Sequence, residues 1–169
     1  LTVSLTLLTV VIGVPLGLLV ALCRLAPAAP VRWVATAYVE AVRGTPLLMQ
    51  IYVLYFVLPA LLPRVGEAMG PFASGVLALS LNAAAYVAEI FRAGIGSIDN
   101  GQREAARALG MSGSQAMRHV VLPQTFQRVV PPLTNEAVAL LKDSSLVSVV
   151  ALSELTRIGK ELVTRNGSP

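Results

Sequence analysis

The chain has 169 residues, of which 55% are hydrophobic and only 13% charged, with a formal net charge of +4. A soluble domain carries roughly 25% charged residues, so the deficit points to lipid, and the length leaves no room for a membrane part beside a soluble catalytic domain. A small positive excess is what Lys and Arg retained on a cytoplasmic face produce, and the single cysteine, Cys23, excludes a disulfide framework or a thiolate metal site.

Residues 1–23 carry no charge. At 1.5 Å rise they suffice to cross a hydrocarbon core of about 30 Å, which predicts a first transmembrane helix. Gly13, Pro15 and Gly17 would weaken a soluble helix, but in a membrane small residues let neighbouring helices approach. Residues 24–43 set Arg24, Arg32 and Arg43 against Glu40. Val31, Val34, Tyr38 and Val42 recur there at helical spacing, and Trp33 suits an interface. The stretch reads equally as a short helix on the cytoplasmic surface or as an early start to the next span.

Thr45 can cap a helix and Pro46 suits its first position, which starts a second span over 46–63. Residues 64–71 form a loop in which Arg64 is balanced by Glu67. A third span is predicted over 72–91, interrupted by Ser80, Asn82 and Tyr86, with Glu89 and Arg92 at i, i+3 where it leaves the membrane. The 24–43 loop holds three Arg and one acid, and the 92–123 loop holds Arg92, Arg103, Arg107 and Arg118. Both are therefore expected in the cytoplasm and the N-terminus outside.

Between these apolar stretches lies a polar island, Asp99 to Pro123. Asp99 or Asn100 can cap a helix that includes Glu104 to Leu109, and Gly110 suits the left-handed position after it. Ser112 with Gln115 makes a capping-box pattern for a second helix, which Pro123 is expected to stop. Ala105, Ala106 and Leu109 give the first helix an apolar flank suited to another protein's groove. Beyond Pro123 the apolar signal returns broken. A fourth span over 124–141 is interrupted by Arg128, Pro131-Pro132, Asn135 and Glu136, and Lys142-Asp143-Ser144-Ser145 separates it from a re-entrant or gate helix over 146–162. Discontinuous helices with ionisable residues are what solute pathways are built from.

Glu104-Ala105-Ala106, Gly110 and Val120-Val121-Leu122-Pro123 together resemble the cytoplasmic motif of the permease subunits of bacterial ABC importers, with Val120 where that motif has Ile. Arg43-Gly44-Thr45-Pro46-Leu47-Leu48, residues 94–98, Gly101-Gln102 and Leu141-Lys142-Asp143-Ser144-Ser145-Leu146 resemble the polar amino-acid uptake subfamily. The resemblance implies an all-α, polytopic transmembrane bundle in a bacterial cytoplasmic membrane. It also implies that the 94–123 loop is a coupling element docking into a separate ATPase subunit through Glu104, Ala105, Ala106, Leu109, Gly110, Met111 and Ser112. Expected partners are an ABC ATPase dimer, a second permease copy and a substrate-delivering binding protein. This chain itself would hold no cofactor, since ATP and Mg²⁺ belong to the ATPase. Family members end with a further transmembrane helix after the region matching 153–166, so the chain is expected to lack the last helix of the bundle.

An amino-acid solute needs a cation for its carboxylate and an acceptor for its ammonium. Glu136, Lys142, Asp143 and Ser144 are the foremost candidates, Glu136 also being able to meet a basic side chain; Lys142 and Asp143 read equally as a structural ion pair. Asn82, Tyr86, Glu89 and Arg92 are secondary candidates against a reading as packing groups and a surface pair. Two other classes fit less well. Ala105 to Arg118 would suit a DNA-binding helix-turn-helix, but such a domain is not flanked by charge-free runs of 17 to 23 residues. An ATP-hydrolysing enzyme is excluded by the lack of a G-x-x-x-x-G-K-[ST] loop, and His119, the single histidine, builds neither a multi-histidine metal site nor a triad.

Overall fold

A computed structural model describes the backbone of residues 2–165 and the side chains of 3–65 and 69–147. Among these residues every regular element is helical: α1 (Thr2–Arg24), α2 (Ala29–Arg43), α3 (Leu47–Tyr52), α4 (Leu58–Leu61), α5 (Pro63–Ala68), α6 (Pro71–Gly96), α7 (Asn100–Ala108), α8 (Gly113–Ala116) and α9 (Leu122–Arg165). The side chains beyond Val147 in the expected gate segment, and that of Glu67, lie outside the described residues.

The axis of the fold is α6, whose 26 residues reach about 39 Å. Its Ala78, Leu79, Ala83, Ala84, Ala85, Val87 and Ala88 are almost fully buried. α1 lies along it in parallel because Gly13 and Gly17 present bare backbone there. A Cβ on Gly13 would stand 2.9 Å from Ala83 Cβ, and one on Gly17 2.6 Å from Val87 Cβ. Small residues thus do here what they do in membrane helix pairs generally. α9 packs antiparallel on another side of α6, with Val147 against Gly75 and Val129 against Gly94. The outward face of α1 leaves Val3, Leu7, Val11, Leu19 and Leu22 more than half exposed, a surface that water would penalise and lipid does not. By length and apolarity, α1 and α6 are each able to cross a membrane.

The second predicted span departs from a straight rod. α2 and the α3–α4 helix form a broken pair bent by 106° at residues 44–46, apolar enough together to make one crossing. α2 is thus a separate helix set off from the next by a sharp bend, where the sequence offered either a surface helix or an early start to the span. Thr45 Oγ1 donates to the carbonyls of Ala41 (3.0 Å) and Val42 (3.3 Å), closing the end of α2. Gln50 Nε2 donates back across the bend to the Val42 carbonyl (2.8 Å), and Asn82 Nδ2 of α6 donates to Gln50 Oε1 (3.1 Å).

Pro123, expected to stop its helix, does not, and Pro59 likewise sits within continuing helix. A π-helical turn, Val53–Val57, ends two residues before Pro59, and another, Met117–Val121, ends two residues before Pro123. Such a wide turn displaces the carbonyl that a proline ring would strike in regular α-helix. Gln124 Nε2 donates to the Val120 carbonyl (3.0 Å) and Thr125 Oγ1 to that of Val121 (2.8 Å), serving oxygens at the irregularity. The chain therefore passes from α8 into α9 without a stop. The expected separation between 124–141 and 146–162 is likewise absent from the backbone, which stays helical through Pro131, Pro132 and the 142–145 stretch. There Ser144 and Ser145 fold their hydroxyls onto the carbonyls of Leu141 (2.7 Å) and Lys142 (2.6 Å) rather than breaking the ladder.

Candidate functional site

Two features stand out, one beyond the end of α6 and one midway along the α6–α9 groove. The first is the turn built by the polar island. Asp99 caps α7 by accepting from the Gly101 N–H at 2.8 Å. At the far end the Met111 N–H reaches the Ala106 carbonyl (3.1 Å) and the Gly110 N–H reaches that of Arg107 (2.9 Å). This crossed pair requires a left-handed residue, and Gly110 takes φ +84°. Ser112 and Gln115 then exchange both bonds of a capping box. Leu109 stands 81% exposed at the tip, with Glu104, Ala105 and Ser112 also exposed. Ala106 does not join that flank as expected: it is buried within the protein itself.

The turn is tied to the membrane helices by side chains. Arg103 Nη2 donates to the Ile95 carbonyl near the end of α6 (3.2 Å), and Gln124 Nε2 of α9 donates to Gln102 Oε1 of α7 (3.3 Å). Arg128 of α9 holds both the carbonyl and the hydroxyl of Ser97. These links make α7 and the ends of α6 and α9 one mechanical unit.

The second feature is a cleft of about 430 Å³ walled by the bend at residues 43–47, by Asn82 and Tyr86 of α6, and by Glu136, Ala139 and Asp143 of α9. It brings one guanidinium, Arg43, together with two carboxylates. Such a volume is in the usual range for a small-molecule site. Glu136 and Asp143, seven residues apart, share a helix face. Lys142 and Ser144 do not join them, because consecutive helical residues diverge by roughly 100°. Lys142 is exposed, and Ser144 is buried with its hydroxyl turned onto the backbone. Lys142 and Asp143 form no ion pair among the described residues. Asn82 lines the cleft while bracing the bend through Gln50.

Glu89 and Arg92 are more than a surface pair. Arg92 grips Glu89 with two bonds, Nε to Oε2 at 2.8 Å and Nη2 to Oε1 at 2.5 Å. Arg24, whose side chain is only 9% exposed, adds Nη1 to Oε2 at 2.7 Å and lies 4.0 Å from Glu40. Arg43 Nη1 stands 3.9 Å from Glu89 Oε1. One carboxylate thus gathers arginines from α1, α2 and its own helix, which leaves it occupied rather than open to a solute.

Arg43, Gln50 and Arg24 were not singled out as site residues from the sequence. Gln50 did carry a signal, as the one amide in the charge-free run 47–63.

The profile of the family described as binding-protein-dependent transport system inner membrane component matches residues 13–162. The L-cystine transport system permease protein TcyB of Bacillus subtilis (strain 168) is 42% identical over 165 residues, covering 98% of this chain and 69% of that protein. The arginine transport system permease protein ArtQ of the same organism is 42% identical over 156 residues, 92% of this chain and 70% of that one. Among solved structures, an amino acid ABC transporter crystallised with histidines superposes with a TM-score of 0.83 at 44% identity, over 96% of this chain and 74% of the other. With these likenesses running along nearly its whole length, the chain belongs to the inner-membrane permease family of binding-protein-dependent ABC transport systems.

Proposed function

We propose that this chain is the permease subunit of an ATP-driven importer of polar amino acids and forms part of the path they take. The observation that carries this reading is the cleft at the broken α2–α3 helix, where Arg43 faces Glu136 and Asp143. A zwitterionic solute needs both signs of charge at once, and this cleft offers them within one small volume. The arithmetic of one cation against two carboxylates favours solutes with a second positive charge, so basic amino acids are the preferred class. The similarity to an L-cystine and an arginine transport system permease protein supports the amino-acid reading.

In this reading Glu104, Ala105, Leu109, Gly110, Met111 and Ser112 meet a separate ATPase, from the cytoplasmic side that the arginine-rich loops select, while the N-terminus faces outward. ATP and Mg²⁺ bind on that partner. A second permease copy and a substrate-delivering binding protein complete the assembly in the inner membrane. Closure of the ATPase pair would pull on α7 and reach α6 and α9 through Arg103, Gln124 and Arg128.

The test is competition for uptake in vesicles holding the full complex, with arginine, glutamine, glutamate and an uncharged sugar as competitors. ATP-dependent uptake blocked by arginine and glutamine but not by the sugar is expected. Inhibition by the sugar alone would favour another small polar solute and overturn the amino-acid assignment.

A further inference from the structure

The solute cleft does not end the groove between α6 and α9. A second cleft of about 350 Å³ lies beyond it, bounded by Glu89 and Ala93 of α6, by Ser97 just after that helix, and by Arg128 and Pro132 of α9. Ser97 leads directly into α7, so this second cleft is on the side of the coupling turn. The two clefts share two walls, Arg43 and Tyr86. Arg43 Cζ sits 5.2 Å from the centre of the Tyr86 ring, a cation held over an aromatic face. The pair therefore stands between the clefts like a closed bar.

We propose that Arg43 and Tyr86 form an inner gate: a solute leaving the upper cleft for the lower one must first lift Arg43 off the Tyr86 ring. This rests on the transport reading above, and adds to it a named obstruction and a way for it to move.

Arg43 is built to move where its neighbours are not. Arg24 and Arg92 each contact Glu89 at hydrogen-bonding distance, the former nearly buried. At 3.9 Å Arg43 is outside that distance, and its side chain is 36% exposed. Its backbone ends α2 immediately before Gly44 and the 106° bend, so a change in the bend would carry the guanidinium with it. Glu89, already beneath it, is the acceptor that a displaced Arg43 would approach. Tyr86 belongs to α6, whose last turn accepts a hydrogen bond from Arg103 of α7, while Arg128 of α9 holds Ser97 just beyond it, so motion of the coupling turn can reach the ring.

The experiment is leak of a preloaded labelled amino acid from vesicles containing the full complex, without ATP, alongside ATP-driven uptake in the same preparation. Tyr86→Ala is expected to raise the leak several-fold, whereas Tyr86→Phe, which keeps the ring face, stays as tight as the unaltered complex. Arg43→Gln, which keeps much of the length but loses the cation, is expected to leak as well and carries the test should Tyr86→Ala fail to assemble. Leak at the unaltered level in an assembled Tyr86→Ala or Arg43→Gln complex, with the unaltered complex transporting normally, would overturn the gate and leave the transport reading intact. No ATP-driven amino-acid uptake by the unaltered complex would overturn the transport reading, and the gate with it.

Discussion

Replacing Glu89 by Gln tests whether the arginine cluster is a structural clasp. Arg24 is 9% exposed and its closest ionic contact is the 2.7 Å bond to Glu89; Glu40, 4.0 Å away, is mostly in solvent. Losing one partner of a buried pair typically costs about 3–5 kcal/mol, because the remaining charge stays buried and uncompensated. Arg43 and Arg92 are far more exposed, so water takes over much of their loss and Arg24 dominates. A destabilisation of about 3 kcal/mol is therefore expected, or roughly 6–12 °C at 2–4 °C per kcal/mol for a chain of this size. Thermal unfolding of the detergent-solubilised complex measures it. The double variant Arg24→Met with Glu89→Gln should recover much of the loss, since removing both charges removes the unpaired one. Equal stability of Glu89→Gln and the unaltered protein, or a double variant that is worse than either single one, would refute the clasp.

Gly110 is in open space, with nothing within 4 Å of where a Cβ would stand, so a side chain there meets only the backbone strain of φ +84°. Gly110→Ala should cost about 1–2 kcal/mol; Gly110→Val should cost more and, in the assembled complex, leave ATP hydrolysis running while uptake falls. Normal uptake by Gly110→Val would contradict the turn's role in coupling. Gly17→Ala is a packing test: its Cβ would meet Val87 Cβ at 2.6 Å and the Ala84 carbonyl oxygen at 2.8 Å. Overpacking of this kind costs about 1–3 kcal/mol, and thermal unfolding should show Gly17→Ala more destabilised than Gly13→Ala, whose nearest approach is 2.9 Å.

What could be read from the sequence was whatever is local. The charge-free run 1–23 became α1, and the third run became the heart of α6. The caps at Asp99 and Ser112 and the glycine between them appear where their side chains can reach their own backbone. Proline was read too simply: Pro123 lies behind a π-helical turn and does not stop its helix, and nothing short-range announces the wider register. Adjacency in sequence also misled. Glu136 and Asp143 reach the cleft together, while Lys142 and Ser144, each next to Asp143, leave on other faces. The Glu89 cluster was least legible, since Arg24, Arg43 and Glu89 come from three helices that meet only after packing. For the same reason Arg43, which the sequence places at the end of a loop, proved to line one cleft with Glu136 and Asp143.

The central claim is that the cleft between Arg43 and the two α9 carboxylates holds the solute. ATP-driven uptake of arginine and of glutamine, compared between the unaltered complex and Glu136→Gln in the same vesicles, tests it most directly. A charge-assisted hydrogen bond contributes about 1.5–3 kcal/mol, so arginine uptake should weaken by roughly ten- to a hundredfold in apparent affinity. Glutamine, which brings no second cation, should lose much less. Equal losses for the two solutes, or none for either, would contradict the claim and return Glu136 to a structural role.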